Sequence, residues 1–177
     1  LLGAGDSHEM IGSTSRPFSP EISFDENMNL FFGGSDVMLE HHPGSNVAGI
    51  WAILPKEKVI FVGDSVMVNQ PPFMAYSNPA AWAADMKLLA SRAYKGYQIV
   101  SSRAGLVTQE QVRTMGKLMS FIENSIATLK EKNADLDTYL ELIPRILKRI
   151  EYSPAEGELF FNRLRWGLTT YYELNQG

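Results

Sequence analysis

Cysteine is absent from the 177 residues, so neither a disulfide framework nor a thiolate metal site is available. Its absence fits reducing surroundings, and the expectation is a cytoplasmic protein. Long apolar runs are also missing: none approaches the roughly 18–20 residues of a membrane span. No basic stretch leads into an apolar one, so no signal peptide is expected. Positive charge is not in surplus either. Sixteen Lys and Arg face 20 Asp and Glu, for a net charge of −4 and a pI near 5.4. A general nucleic-acid binder needs a basic field to displace counterions, so nucleic acid is not an expected partner. The first residue is Leu rather than Met, which suggests that something upstream was removed or not included. What remains is an ordinary globular balance, 45% hydrophobic and 20% charged, in a chain long enough to bury a core without staples.

Three regions of different character follow one another: an irregular segment over 1–20, a β-rich region over 21–107 and a helical region over 108–177. The first is rich in Gly, Ser and Pro. The second alternates short apolar runs with turn residues. Strands are expected at Ile22–Phe32 (with Asp25-Glu26-Asn27 as a turn within it), Asp36–His42, Gly49–Leu54, Val59–Val62 and Gln98–Ser101, with Gly33-Gly34 and Pro55-Lys56-Glu57-Lys58 as further turns. Asn78-Pro79 reads as a helix cap followed by Pro at the first helical position, ahead of Trp82, Met86, Leu89 and Ala93 at helical spacing. Thr108-x-x-Gln111 fits a capping box. Behind it Val112, Met115, Met119, Ile122, Ile126 and Leu129 form one apolar stripe, either core or a dimer seam. A third helix is expected from Asp135 to Tyr152 with Leu136, Leu140, Ile143, Leu147 and Ile150 inward, kinked at Pro144. Ser153-Pro154-x-Glu156 should open a last helix with Phe161, Leu164, Leu168 and Tyr171 on its stripe.

Two segments carry a family resemblance. His41-His42-Pro43-Gly44-Ser45-Asn46-Val47-Ala48-Gly49 resembles the H-x-P-G-H-[ST]-x-G element of metallo-β-lactamase-fold proteins. Leu54-Pro55-Lys56-Glu57-Lys58-Val59-Ile60-Phe61-Val62-Gly63-Asp64 is similar to the family's L-P-x-x-x-V-L-F-x-G-D. Ser45, in the place of a metal histidine, stands 19 residues before Asp64, in the place of the bridging carboxylate. Asn162-Arg163-Leu164-Arg165 and the helices before it are compatible with the accessory C-terminal helices of some members. The resemblance implies an α/β (α+β) chain, half of an αββα metallo-β-lactamase-like sandwich with extra C-terminal helices. It also implies chemistry by metal-bound hydroxide on zinc, iron or manganese, the metal lowering the pKa of bound water.

The site residues are altered. The family's H-x-H-x-D-H motif has no counterpart among His8, His41 and His42. The second-motif ligand is replaced by Ser45, whose neutral hydroxyl is a poor zinc donor beside an imidazole. His42 would reach the site only by a register shift; otherwise it is a histidine packed or hydrogen-bonded near the Pro-Gly turn. His8 is a remote ligand candidate. Asp64 is kept, either as a residual metal ligand or as a carboxylate that caps its own loop. Arg103, in Ser101-Ser102-Arg103-Ala104-Gly105, stands where the last metal histidine belongs, and a guanidinium has no lone pair to donate. A buried carboxylate demands a cation, so an Asp64–Arg103 ion pair within about 6 Å is expected to take the metal's place, since hydrogen-bond reach is shorter than that.

The function expected from this pattern is a metallo-β-lactamase-like protein of a hydrolase family with a degenerate metal site, impaired or non-catalytic. One alternative is an active hydrolase of an ester, thioester or lactone whose first metal motif lies in a missing N-terminal half. The other is a dimerising, non-enzymatic interaction module. A half-sandwich would bare the sheet face that its partner sheet normally covers, so a homodimer or an N-terminal half is the expected partner. Asn69-Gln70-Pro71-Pro72-Phe73-Met74 is read as a loop with exposed apolar residues at the site's rim. Arg145, Lys148 and Arg149 are read as a solvated helix face.

Overall fold

In the computed structural model, which describes residues 21–175, the first half of the chain builds one sheet. Its strands are β1 (Asn27–Phe32), β2 (Ser35–His41), β3 (Ile50–Leu54), β4 (Val59–Phe61), β5 (Gln98–Ser101) and β6 (Gly105–Val107), in the order β1-β2-β3-β4-β5-β6. Every pair is antiparallel except β4–β5. A parallel pair needs a crossover, and the chain supplies it through helix α1 (Pro79–Leu89). The Gly33-Gly34 turn joins β1 to β2 with Gly33 at φ +62°, a conformation glycine adopts without steric cost.

Four further helices follow: α2 (Gln109–Glu131), α3 (Leu136–Leu140), α4 (Leu142–Leu147) and α5 (Gly157–Leu174). Asn78 caps α1 by accepting from the Ala81 amide at 3.1 Å. The Thr108 box is complete, the Gln111 amide donating to Thr108 Oγ1 at 3.2 Å and the Thr108 amide to Gln111 Oε1 at 2.8 Å. The Ser153 amide donates to Glu156 Oε2 at 2.9 Å, ahead of a 3-10 turn that leads into α5.

Strand register sorts the sheet into two faces. Ile53 opposes Ile60, Ile60 opposes Ile99 and Ile99 opposes Val107, and Trp51 shares their side through period-two alternation. These residues are buried in one cluster with Trp82, Met86 and Leu89 of α1 and Val112, Met115 and Met119 of α2. The stripe of α2 is therefore core. On the other face Leu39 opposes Ala52, and Ala52 opposes Phe61, while Val100 lies beside Phe61 and Leu106. Phe61 there is 45% exposed and Leu106 is 69% exposed.

Several expected boundaries move. The first strand begins at Asn27, so Ile22–Glu26 is not part of it, and Ile22 is exposed. The third begins at Ile50 and the fourth ends at Phe61. Strand β6 (Gly105–Val107), at the end of the β-rich region, was not among the expected strands. Ala93 falls in a 3-10 turn and is exposed rather than on the stripe of α1. The single kinked third helix is two short ones, broken at Glu141. Pro144 cannot donate to the carbonyl of Leu140 and its ring collides there, so it is accepted only within the first turn of a new helix. The break rotates the buried face to Tyr139, Leu142, Ile143 and Ile146. In α5 Phe160 is buried and Phe161 is 43% exposed, one position off the expected stripe. Arg145 and Arg149 are not simply solvated: both guanidiniums lie over the Phe121 ring, at 5.1 and 3.6 Å. The expected irregular segment 1–20 and His8 lie outside the described residues.

Candidate functional site

The loop after β4 is built to present one carboxylate. Gly63, at φ +54°, turns the chain into a 3-10 turn over Gly63–Ser65. Sheet and helix then fasten that turn from several sides. The Val62 amide donates to Val100 O at 2.9 Å and the Ser102 amide to Gly63 O at 3.0 Å. Ser65 is the knot: Trp51 Nε1 donates to its hydroxyl at 2.9 Å and Trp82 Nε1 to its carbonyl at 2.8 Å. Ser101 Oγ donates to Val66 O at 2.6 Å and accepts from the Arg103 amide at 3.1 Å. Two indole donors and a buried serine thus hold the turn to β3, to α1 and to the end of β5.

Asp64 projects from this corner and meets Arg103 side-on. Nε of the guanidinium donates to Oδ1 and Nη2 to Oδ2, both at 3.1 Å, the bidentate geometry that favours Arg over Lys. The Ser102 hydroxyl donates to Oδ1 as well. Burial pushes the Asp64 carboxyl upward, but hydrogen bonds from Arg103 and Ser102 and the charges of Arg103 and Arg163 outweigh it. The net result is a value below the ordinary carboxylate one. The expected ion pair is therefore present, and both carboxylate oxygens are taken by protein donors.

Arg163 comes to this corner from α5. It donates to Gln70 Oε1 at 3.3 Å and approaches Met67 Sδ at 3.7 Å. Burial first, then the neighbouring Arg103 charge, lower its value, with the Asp64 carboxylate opposing them. It remains a cation at neutral pH. Phe73, 5.8 Å below its guanidinium, stacks on Trp166 with centroids 4.8 Å apart. The Asn69–Met74 loop does not bare its apolar residues at the rim: Pro71, Pro72 and Met74 are buried.

His42 belongs to a different cluster. Its Nδ1 lies 2.8 Å from Asp85 Oδ1 and its Nε2 3.3 Å from Glu40 Oε2, while the ring stacks on Trp51 at 3.6 Å. Both contacts are hydrogen bonds only when both ring nitrogens carry protons. Asp85 Oδ2 is buried without a partner. Tyr94 packs edge-on against Trp51; burial, the Glu40 carboxylate and Tyr97 push its phenol up to about 12. The cluster ties the end of β2 to α1, and Gly44 makes the approach possible. A Cβ on Gly44 would stand 2.5 Å from both Trp82 Cα and Asp85 Oδ2. Ser45 is half-buried, and neither it nor His42 makes a hydrogen bond to Asp64 or Arg103 among the described residues.

Asp85 was absent from the sequence reading, yet its signal was there: it lies three residues after Trp82 and one before Met86, on the inward stripe of α1. A charge in that place is a buried charge in search of a partner. Arg163 carried no comparable sign, since helix α5 alternates Arg with apolar residues and nothing in that pattern says which cation faces the Asp64 loop.

Among the described residues no group of three or more His, Cys, Asp and Glu side chains is arranged to hold a metal ion. The donor set agrees. Both Asp64 oxygens accept from Arg103, with Ser102 also donating to Oδ1, and the His42 imidazole lies between the carboxylates of Asp85 and Glu40. A zinc, iron or manganese ion does not fit the described residues.

No protein-family model matches the chain, and no curated protein matches it. Solved structures do. A metallo-β-lactamase from Pontibacter korlensis superposes with a TM-score of 0.52 at 18% identity, over 58% of this chain and 50% of that one. A stereoselective inverting sec-alkylsulfatase from Pseudomonas sp. gives 0.60 at 13% identity, over 90% of this chain and 27% of that one. A metallo-β-lactamase family protein from Thermus thermophilus gives 0.54 at 16% identity, over 76% and 47%. These likenesses show the fold: a mixed sheet backed by helices, part of a metallo-β-lactamase-like sandwich with additional C-terminal helices. The chain spans half or less of the length of each of these three structures.

Proposed function

We propose that this chain is the second half of a metallo-β-lactamase-like unit whose hydrolytic metal centre has been replaced on this side by the Asp64–Arg103 pair, and that it serves as a binding or scaffold element. The observation that carries the reading is the bidentate contact itself. Each Asp64 oxygen accepts from Arg103 at 3.1 Å, so the carboxylate's charge is already compensated without a metal. With Ser45 and Arg103 in the two histidine positions, Asp64 is the only ligand position kept.

Elemental analysis of the purified protein tests it. The expected result is less than stoichiometric zinc, iron and manganese, with no gain of ester, thioester or lactone hydrolysis when those ions are added. Stoichiometric metal that leaves on Asp64→Ala substitution or activates hydrolysis overturns the reading in favour of a working metal-dependent hydrolase.

The partner expected from the half-sandwich has support from the register. The face carrying Leu39, Ala52, Phe61, Val100 and Leu106 is apolar across five strands, and a sheet face of that kind is stable when covered. The reading is that a second sheet covers it, from a preceding half of a longer protein or from a second copy. Molar mass by light scattering across a concentration series distinguishes the copy from a monomer.

A further inference from the structure

Three cations of the helical region stand close together in the chain, Arg145 on α4 and Lys148 and Arg149 on the turn that continues it, and all three are exposed. Two of them converge on one side chain of another helix. The guanidiniums of Arg145 and Arg149 lie over the Phe121 ring of α2, at 5.1 and 3.6 Å from its centroid. Phe121 is half-buried and packed against the core, so the ring is a fixed floor for both.

The ring accounts for the faces of these guanidiniums and not for their charge. A guanidinium over an aromatic ring keeps its N–H edge free for an acceptor. Arg149 Nη1 donates to the Arg145 carbonyl at 2.6 Å, a contact that suits the negative end of a helix. Among the described residues neither the Arg145 guanidinium nor the Lys148 ammonium donates a hydrogen bond, and none of the three cations forms an ion pair. The nearest acids in the sequence are Glu141, four residues before Arg145, and Glu151, two after Arg149; neither is within ion-pair distance. Like charges four residues apart on a helix repel. Two guanidiniums gathered on one ring, with an ammonium beside them, are therefore stabilised by an anion held between their edges.

We propose that Arg145, Lys148 and Arg149, set over the Phe121 ring, form a docking patch for a phosphorylated segment of a partner protein. The two guanidiniums and the ammonium hold its phosphoryl group. Charge selects that group: three uncompensated cations match a phosphoryl dianion better than a single carboxylate, and the Arg fork fits its oxygens. Exposure selects the chain that carries it, since the bulk of the ligand lies outside the protein surface. The inference does not use the Asp64 corner and stands whichever way that corner is read.

Fluorescence anisotropy of the full chain at low salt tests the patch. The probes are labelled peptide mixtures with varied flanks around one fixed residue: phosphoserine, serine or glutamate. The phosphoserine mixture should bind, more tightly than the other two, and added salt should weaken it. Arg145→Gln and Arg149→Gln should each weaken it by about tenfold or more, the scale of a charge-assisted contact. Both variants should keep the wild-type circular dichroism, because both side chains are exposed. Lys95→Gln, which removes an exposed cation from another part of the chain, should bind as wild type does. Failure of the phosphoserine mixture to bind, or equal binding by wild type and both arginine variants, overturns the patch. Serine or glutamate peptides bound as tightly as phosphoserine ones overturn the phosphoryl group. Inorganic phosphate that competes as tightly as the phosphoserine mixture overturns the chain-borne ligand in favour of a free anion.

Discussion

Arg103 and Asp64 face each other through two parallel contacts of 3.1 Å, and a second guanidinium, that of Arg163, sits close enough to lower the same carboxyl further. Asp64, proposed above to stand in the position of a metal-bridging carboxylate, is the anion of a protein ion pair. The geometry is strong, but the setting is not deeply buried, with side-chain exposures of 36% and 42% for Arg103 and Asp64. Solvent screening therefore sets its weight.

Replacing Arg103 by Leu should cost only about 1 kcal/mol or less, as for exposed pairs, and the loss should depend on pH with a definite sign. The Asp64 value in the folded protein is lowered, so its contribution is complete above the unfolded carboxylate value of about 3.9. It is lost as pH falls through the lower folded value. Urea midpoints of wild type and Arg103→Leu should differ at pH 6 and converge toward pH 2. A difference that persists undiminished at pH 2 would show that the pair is not its source.

Gly44→Ala should be the more damaging change, although it adds one methyl. The new Cβ would meet Trp82 Cα and the Trp82 amide nitrogen at 2.5 and 2.8 Å, and backbone cannot step aside as a side chain can. Overpacking of this kind costs about 1–3 kcal/mol, and for a chain of this size each kcal/mol lowers Tm by about 2–4 °C. Thermal unfolding followed by circular dichroism reads it. An unchanged Tm would mean that the His42–Asp85 segment is not packed against α1 as described.

Much of the frame was legible because local chemistry dictated it. The Thr108 box, the Asn78-Pro79 start and the Gly33-Gly34 turn each have a residue type that only one conformation uses well, and each is where it was expected. The Gly63-Asp64 corner and the Arg103 that meets it were legible through motif spacing. What failed depended on contacts distant in sequence. Strand β6 is three residues long and reads as nothing until Val107 is seen opposite Ile99. Phe160 and Phe161 are interchangeable by periodicity, and only the direction of approach of α5 decides between them. His42 was correctly placed by the Pro-Gly turn, but its partner Asp85 is 43 residues away, beyond any local pattern.

Asp85 gives a prediction that separates charge from hydrogen bonding. Its Oδ1 is the partner of His42 Nδ1, while Oδ2 is buried and unpartnered. Asp85→Leu should leave a buried imidazole N–H without an acceptor and cost about 1–3 kcal/mol. Asp85→Asn keeps an acceptor oxygen for Nδ1, so it should cost clearly less. Chemical denaturation of both variants at neutral pH makes the comparison, and equal destabilisation would assign the role of Asp85 to its charge alone.

Phe61→Lys asks what covers the outer face of the sheet. Phe61 lies centrally on that face, between Ala52 on β3 and Val100 on β5, and is 45% exposed. A lysine there keeps its stem on the sheet and its ammonium in water, so unfolding of the isolated chain should change by no more than about 0.5 kcal/mol. Association through the face is a different matter, because an ammonium buried between two sheets has no counter-charge there. If a second copy of the chain covers this face, light scattering should show a wild-type dimer at micromolar concentration and a Phe61→Lys monomer with unchanged circular dichroism. A Phe61→Lys dimer indistinguishable from wild type would move the interface elsewhere on the molecule.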